Sequence, residues 1–540
     1  GSYPPLLRQL LYNRGLKTPS AAERFLHAGE RNLTDFPPFA NAPTFNSRIE
    51  KALKQGEKIA VYGDYDVDGI TASAVLSRAL ESLGAEIVIY IPDRRQEGYG
   101  LDNKALTSLA NQGVSLVISV DCGIRALTAA SHAHKLGLDL IITDHHQPGP
   151  QIPRATAIFN PHLESNPDLY PYLAGVGVVF KLLQSLQEVF PVLHPEDYLD
   201  LVALGTIADV VPLRNENRVI TQKGLKRFPH TRTQGLYSLV KFCELDPTAV
   251  TASDISYQLA PRLNAAGRMD HARPALDLLL EDNLGEIVKI IQNLENLNRE
   301  RKVLSREVEL QAEKMGFMDT PQPPIIIAFH PDFNQGVAGI AAGRLAQKHF
   351  LPAIVGEKGS ETTTASCRSI PGFNIVEALE SCQDLLLDYG GHAGAAGLTI
   401  SNHHIADFTE MISRLAAERL PVDLRRPTLE VDAEVSLSEL NWDLLSQLQK
   451  LEPTVEMNPR DQRTPFIARD VFLSQVKQVG SNQKHLKFKT REKGLDGIGF
   501  GLGSLADKIQ GPVDLLFNFE KNIFRGNVSL QLNVLDIKFR

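Results

Sequence analysis

No apolar run in this chain approaches the length needed to cross a membrane as a helix, so a membrane-spanning helix is excluded at the outset. Cysteine is scarce. The four present, Cys122, Cys243, Cys367 and Cys382, are scattered and form no CxxC pair. That excludes a zinc ribbon and a disulfide framework, and it fits a reducing compartment. Positive charge is not in excess: 56 Lys and Arg face 64 Asp and Glu, a net charge of −8. A polyanion site must therefore be a local basic patch. There is no P-loop pattern and no Ser-His-Asp signature, which removes the common NTPase and acyl-enzyme mechanisms. Internal repeats and low-complexity tracts are absent as well.

What remains is an ordinary globular composition, 43% hydrophobic and 22% charged, over 540 residues, enough for two to four domains. Residues 1–45 read as a leader with a short helical stretch and a Pro-rich turn. Over residues 46–245 strand-like and helix-like segments alternate, which predicts βαβ units around a mainly parallel sheet. Residues 246–315 read as a helical connector. Within it Ile287, Ile291, Leu294, Leu297, Leu304 and Val308 recur at near-helical spacing. A smaller α/β unit is expected over 316–420, after the Pro-rich stretch TPQPPI. Residues 421–540 consist of short alternating runs, which predict a small antiparallel β-barrel. The chain opens with Gly-Ser and shows no secretion signal. The expected location is the bacterial cytoplasm, or an organelle if a transit peptide preceded this sequence.

The chemistry concentrates in four acidic runs of the first half. They are GDYDVDG (Asp64, Asp66, Asp68), VISVDCG (Asp121), LIITDHH (Asp144, His145, His146) and GTIADVVPL (Asp209). Three follow apolar runs of strand character. In a parallel α/β sheet the carboxyl ends of the strands form the ligand crevice. Carboxylates crowded there repel one another unless cations neutralise them. On an extended chain Asp64, Asp66 and Asp68 would share a face and could ligate neighbouring cations. A calcium-like loop or Asp-rich turn is the competing reading, although an EF-hand lacks its closing Glu here. Asp121 could equally be a helix N-cap. Asp144-His145-His146 is more specific. Mixed His and carboxylate ligands suit Mn²⁺, with Mg²⁺ plausible, and Asp144 could orient a histidine. Asp209 lies in an apolar stretch, where an unsatisfied carboxylate would be costly. Two cations bridged by a carboxylate suit phosphoester hydrolysis.

The later chain supplies phosphate-binding candidates. Ser366, Arg368 and Ser369 in SCRSI make a plausible cradle, and Arg262, Asn264 and Arg268 in APRLNAAGRM offer another. In YGGHAGAAG the glycines, Gly391 among them, permit close approach to a ligand, and His392 could donate to a phosphate or leaving oxygen. A structural histidine in a Gly-rich strand-to-helix turn is the competing reading. Lys484, Lys487, Lys489 and Arg491, with Phe488 among them, match a single-strand nucleic-acid groove or a lysine-protected edge hairpin.

At these residues the chain resembles the DHH phosphoesterase superfamily, in its single-stranded-DNA exonuclease branch. The resemblance covers essentially everything after the leader. It runs through GDYDVDG, DCGI, ITDHH, GTIADVVPL, QLAPRLNAAGRM, the SxRS run and GGHAGAAG. It implies a DHH domain and a DHHA1 domain joined by a long helix, an active site between them, and an OB-like tail. It also implies two Mn²⁺ or Mg²⁺ ions and 5′-to-3′ removal of nucleotides from single-stranded DNA in repair and recombination. By position, Asp66, Asp68, Asp121, His145 and Asp209 match the metal-binding pattern, with Asp121 as the bridge. Asp64 and His146 support the site. Arg94, in PDRRQEGYG, together with Ser366 and Arg368, falls where relatives hold substrate phosphates. His392 joins Asp121, His145 and His146 as a catalytic candidate.

Three places depart from the family pattern. Tyr62 stands where a metal-binding His is frequent. FNQGV replaces WHPGV at Phe333 and Asn334. EPTVEMNP replaces a Gly-rich run before the barrel. The expected partner is single-stranded DNA, with single-strand-binding protein or a helicase alongside. No membrane is expected, and the chain is expected to act as a monomer. Two alternatives remain: a phosphodiesterase for short oligonucleotides or cyclic dinucleotides, and a non-catalytic scaffold of the Cdc45 kind.

Overall fold

The protein is described here by a computed structural model. It covers residues 3–94, 97–164, 172–318, 320–421, 425–426, 428–454, 465–524 and 527–540. Two compact units emerge. The first comprises residues 1–92, 99–260 and 429–540, the second residues 93–98 and 261–428. No helix among the described residues is long and apolar enough to cross a membrane.

The first unit is built on a parallel sheet of five strands. They are β1 (Lys58–Tyr62), β2 (Glu86–Tyr90), β3 (Val114–Val120), β4 (Asp139–Thr143) and β5 (Ala157–Phe159). Their order is β2-β1-β3-β4-β5, and every neighbouring pair is parallel. The central runs are rich in Val and Ile and are buried on both faces, as a helix-covered parallel sheet requires. The acid-bearing runs follow β1, β3 and β4, so their carboxylates converge at one sheet edge. Asp209 arrives differently. It caps the C-terminus of a helix, Leu199–Ala208, not a strand. The GTIA stretch hides its helical character because that helix is buried all round, which erases periodicity.

The tail forms a seven-stranded sheet that follows the order β11-β12-β16-β17-β15-β14-β13. The members are β11 (Ala433–Glu434), β12 (Pro465–Val471), β13 (Leu473–Val479), β14 (His485–Thr490), β15 (Asp496–Gly499), β16 (Val513–Phe524) and β17 (Asn527–Phe539). It is not wholly antiparallel: β11 with β12, and β15 with β17, pair in parallel. The leader is part of this tail. Helices Pro5–Asn13 and Pro19–Leu26 place Leu7, Leu10, Leu11, Phe25 and Leu26 in one apolar cluster with Phe466, Phe488, Phe517 and Val534. Arg218 reinforces the join. Its buried guanidinium donates to the carbonyls of Phe25, Lys450, Leu451, Glu452 and Pro453 at 2.8–3.1 Å, and it stacks on Phe25 at 3.7 Å.

The second unit contains the expected long helix, Leu284–Gly316, 33 residues and so about 50 Å long. Asn283 caps it by accepting from the N–H groups of Gly285 and Glu286. The helix contributes Val308 and Ala312 to a core shared with a second five-stranded sheet. That sheet comprises β6 (Ile326–His330), β7 (Ala353–Lys358), β8 (Thr362–Arg368), β9 (Leu386–His392) and β10 (Ala395–Ser401). Its order is β6-β7-β8-β10-β9, parallel at β6–β7 and antiparallel elsewhere.

Candidate metal centre

After β1 the chain turns straight into the helix Val67–Ser82, so GDYDVDG is a helix entry and not an extended strand. Asp66 is the N-cap; its Oδ1 accepts from the N–H groups of Asp68 and Gly69 at 3.0 and 3.1 Å. Gly69 is required by packing, because a Cβ there would lie 2.6 Å from the Asp64 Cβ. Asp68, fully buried, reaches the start of a different helix, Gly175–Val189. Its oxygens accept from the N–H groups of Gly175 (2.6 Å) and Val176 (2.8 Å). A carboxylate at a helix N-terminus is favourably placed. Gly175 in turn makes room for Asp121, whose Cβ and Oδ1 would sit 2.6 and 2.7 Å from any added Cβ.

Asp121 follows β3 in a left-handed conformation, φ 61°. Asp144 follows β4 and organises both histidines. Its Oδ1 accepts from the N–H of His145 (2.7 Å), the N–H of His146 (3.0 Å) and His146 Nδ1 (2.8 Å), while its Oδ2 accepts from the Ile124 N–H. Burial pushes the Asp144 carboxyl up, but the His146 hydrogen bond and charge together with the N–H groups of Ile124 and His146 outweigh it and hold the carboxyl below its ordinary range. The His146 ring is pulled down by burial and raised on balance by Asp144. Asn160 fixes the same loop by donating to the His146 carbonyl at 2.9 Å.

These elements bring the acids and histidines together. His145 Nε2 lies 3.2 Å from Asp121 Oδ1, 3.6 Å from Asp209 Oδ2 and 3.8 Å from Asp68 Oδ2. Three overlapping donor sets result: Asp121, His145 and His146; Asp68, His145 and Asp209; Asp64, Asp66 and Asp121. The donor atoms of each set lie within 4.8 Å of one another. Asp121 Oδ1, His145 Nε2 and Asp209 Oδ2 are buried atoms with no hydrogen bond. Burial drives the Asp121 carboxyl far above its usual range, and the charges of Asp68, Asp66, Asp64 and Asp209 push the same way. Asp209 is raised for the same reasons, by burial and then by Asp68 and Asp66. Buried acceptors that repel one another and lack donors fit divalent cations with oxygen and imidazole ligands. Tyr62, at the family's frequent histidine position, takes no part in these sets. Its hydroxyl donates to the Gly100 carbonyl (3.1 Å), and its ring stacks on Tyr90.

The phosphate candidates lie in the second unit. Ser366 and Arg368 are on β8, facing the helix Gln335–His349 at Gly339. A Cβ at Gly339 would meet Arg368 Nη2 at 2.9 Å and Ser366 Oγ at 3.3 Å. Burial lowers the Arg368 pKa, and the nearby Arg94 lowers it further. Two neighbouring, partly buried guanidiniums repel each other, and an anion between them would relieve that repulsion. Ser369 is differently engaged, because its hydroxyl proton goes to the Phe373 carbonyl at 2.6 Å. The Arg262–Asn264–Arg268 cradle does not form as one face. All three lie on the helix Ala260–Met269, where Asn264 and Arg268 share a side and Arg262 points away to Glu295, 2.8 Å off. Gly391 and His392 close β9 of a β-hairpin, not a strand-to-helix turn. In FNQGV, Phe333 is core and Asn334 caps the helix Gln335–His349. In EPTVEMNP, residues 455–459 lie outside the described residues.

In the tail, Phe488 is buried against Gly497 and is no stacking platform. Lys487 sits directly across from Lys477. Lys489 has Asp496 at 3.7 Å, and Arg491 donates to the Leu473 carbonyl beside Phe472. Exposed aromatics near this hairpin include Phe472 and Phe500, the latter packed edge-on against His485 at 5.3 Å.

Residues 58–206 match the DHH family, N-terminal domain, 322–418 the DHHA1 domain and 431–536 the RecJ OB domain. The single-stranded-DNA-specific exonuclease RecJ of Salmonella typhimurium is 34% identical, over 99% of this chain and 96% of that protein. This chain belongs to the RecJ family. Another RecJ relative, from Bacillus subtilis, is 37% identical over 94% of this chain, and the match spans 64% of that longer protein. Among solved structures, RecJ of Thermus thermophilus in complex with Mn²⁺ superposes with a TM-score of 0.83 at 29% identity. The match covers 100% of this chain and 79% of that one. A second RecJ structure, bound to manganese, gives a TM-score of 0.64 at 35% identity, over 74% of this chain and 99% of that one.

Sequence reasoning missed three contributors to the centre: the Gly175 and Val176 N–H groups, Asn160 and Tyr99. The N–H groups carry no signal, since a backbone donor has no residue identity, and Asn160 acts through its side-chain amide on the His146 carbonyl, which no motif marks. Tyr99 had one, a tyrosine held between two glycines.

Proposed function

We propose that this chain is a divalent-cation-dependent exonuclease that removes nucleotides from single-stranded DNA, starting at the 5′ end. The observation that carries the reading is the overlap of three donor sets through Asp121 and His145. Family membership supplies the reaction class. Asp66, Asp68, Asp121, His145 and Asp209, with Asp64 beside them, would hold two ions, Mn²⁺ or Mg²⁺, and Asp121 belongs to two of the donor sets. Such ions activate a water and neutralise the attacking and leaving oxygens.

The chain's own residues do the remaining work. Asp144 keeps a proton on His146 Nδ1, so His146 Nε2 is the atom free to exchange a proton in the reaction. Arg94, Ser366 and Arg368 bind a phosphate of the terminal nucleotide, and the fork of Arg368 grips two of its oxygens. On the tail, the like-charged Lys477–Lys487 pair costs stability unless an anion lies over it, and a DNA backbone supplies one. The substrate must be freed from its complement, so a strand-separating enzyme and single-strand-binding protein are the partners this reading expects, with the protein acting as a cytoplasmic monomer.

The test is a 30-mer single strand labelled at one end or the other, incubated with Mn²⁺. Labelled mononucleotide should appear first from the 5′ label, and EDTA should stop it. Release beginning at the 3′ label, or digestion undiminished by EDTA, would overturn the proposal.

A further inference from the structure

We propose that Tyr99 is a positioning residue of the metal centre. Its phenol hydroxyl holds the Asp121 backbone and the His146 ring in the arrangement the cations require. The inference rests on the functional reading above.

Tyr99 Oη donates to the Asp121 carbonyl at 3.1 Å and lies 3.0 Å from His146 Nδ1. The phenol has one proton, and the Asp121 carbonyl takes it. His146 Nδ1–H therefore serves two acceptors, Asp144 Oδ1 at 2.8 Å and Tyr99 Oη at 3.0 Å. The ring of Tyr99 meets His146 edge-on, centroids 5.4 Å apart. Asp121 is left-handed, a conformation that persists only where its surroundings hold it. Its N–H is bonded to the Thr143 carbonyl at 2.9 Å, and Tyr99 holds its carbonyl. The two hydrogen bonds thus clamp the residue shared by two donor sets.

The loop that carries Tyr99 is itself braced. Gly98 and Gly100 flank it at φ 81° and 93°. The buried Tyr62 hydroxyl donates to the Gly100 carbonyl and accepts from the Asp102 N–H at 3.3 Å. Half of the Tyr99 side chain faces solvent while its hydroxyl is enclosed by the groups it binds, so Tyr99→Phe removes those bonds and keeps the ring.

The experiment uses the full chain and compares Tyr99→Phe and Tyr99→Leu with wild type. Mn²⁺ affinity is read from the electron paramagnetic resonance signal of free Mn²⁺, in the absence of DNA. The kcat and KM on a 30-mer and the melting temperature are measured alongside. Partners that orient metal ligands are typically worth 10–100-fold in affinity or activity. Tyr99→Phe should weaken Mn²⁺ binding and lower kcat by about that factor, with KM and melting temperature unchanged. Tyr99→Leu should do no more. Wild-type Mn²⁺ binding and kcat in Tyr99→Phe would overturn the inference. So would a raised KM in Tyr99→Leu with a neutral Tyr99→Phe, which would mark the ring as a stacking face for a base. If wild type itself neither binds Mn²⁺ nor digests DNA, the functional reading fails first, and this inference with it.

Discussion

Replacing Asp121 by Asn should make the metal-free protein more stable and the metal-loaded protein inactive. The carboxylate oxygens of Asp64, Asp66 and Asp121 lie within 4.8 Å of one another. At that separation and an effective dielectric near 20, each ionised neighbour repels Asp121 by about 3 kcal/mol. Proton uptake limits the penalty, because the Asp121 pKa is raised well above the ordinary range by burial and by Asp68, Asp66, Asp64 and Asp209. The sign follows from that direction. A carboxyl with a raised folded-state pKa favours folding in acid, below its unfolded value, and loses that contribution as pH rises through the raised value. Asparagine carries no charge and tolerates the left-handed backbone at this position. In EDTA, Asp121→Asn should therefore melt higher than wild type by an amount that grows with pH, on the order of 2 kcal/mol or roughly 2–3 °C by pH 8 for a unit of this size. Saturating Mn²⁺ should reverse the order. At 100 times its dissociation constant a cation adds about 2.7 kcal/mol to wild type, and little to a variant that has lost the shared ligand. Calorimetric melts from pH 5 to 8.5, with EDTA or Mn²⁺, measure both halves. An Asp121→Asn protein that melts below wild type in EDTA at pH 8, or that gains as much from Mn²⁺, would refute the repulsion argument.

Arg368→Lys keeps the charge but loses the two-pronged grip, so it should slow digestion of 5′-phosphorylated strands more than of 5′-hydroxyl strands; equal slowing in a gel time course would count against phosphate placement at β8. Changing Lys484, Lys487, Lys489 and Arg491 together to Ala should weaken binding of a 30-mer and flatten its salt dependence while sparing a trinucleotide; equal effects on both in anisotropy titrations and hydrolysis assays would make the tail a structural appendage. Arg218→Ala removes the buried guanidinium that joins leader, catalytic domain and tail and leaves the Phe25, Leu451 and Pro453 carbonyls without it, while Glu452 keeps its bond from Gln222; the change should cost about 3 kcal/mol in thermal melts. A loss under about 1 kcal/mol would show that water replaces the guanidinium readily.

The parts of this fold that were legible in the sequence are those fixed by near neighbours. KIAVY, SLVISV and DLIIT announce buried parallel strands, and the acids that close them must meet at one sheet edge. The long helix Leu284–Gly316 announces itself by its period. The parts that were not legible depend on partners far along the chain. Leu7 and Phe25 look like a detached leader because the strands they pack on begin more than 400 residues later. Phe488 looks like an aromatic in a basic groove, and strand alternation alone puts it inside. Asp209 looks like a strand end because a helix buried all round has no polar face to betray its period.

The same distinction applies inside the metal centre. A motif reader sees Asp68 as a ligand in GDYDVDG, yet its oxygens are already bound to the N–H groups of Gly175 and Val176, 107 and 108 residues away. Gly175 can have no side chain, because a Cβ would strike Asp121. The sheet-end acids and the AGVG turn therefore constrain each other through backbone atoms that no residue type records. A substitution in that turn, far from any candidate ligand in sequence, should disturb the centre as much as the loss of a ligand. The catalytic geometry of this chain is a property of the packed strand ends and helix starts, and the acidic motifs mark only the half of it that side chains supply.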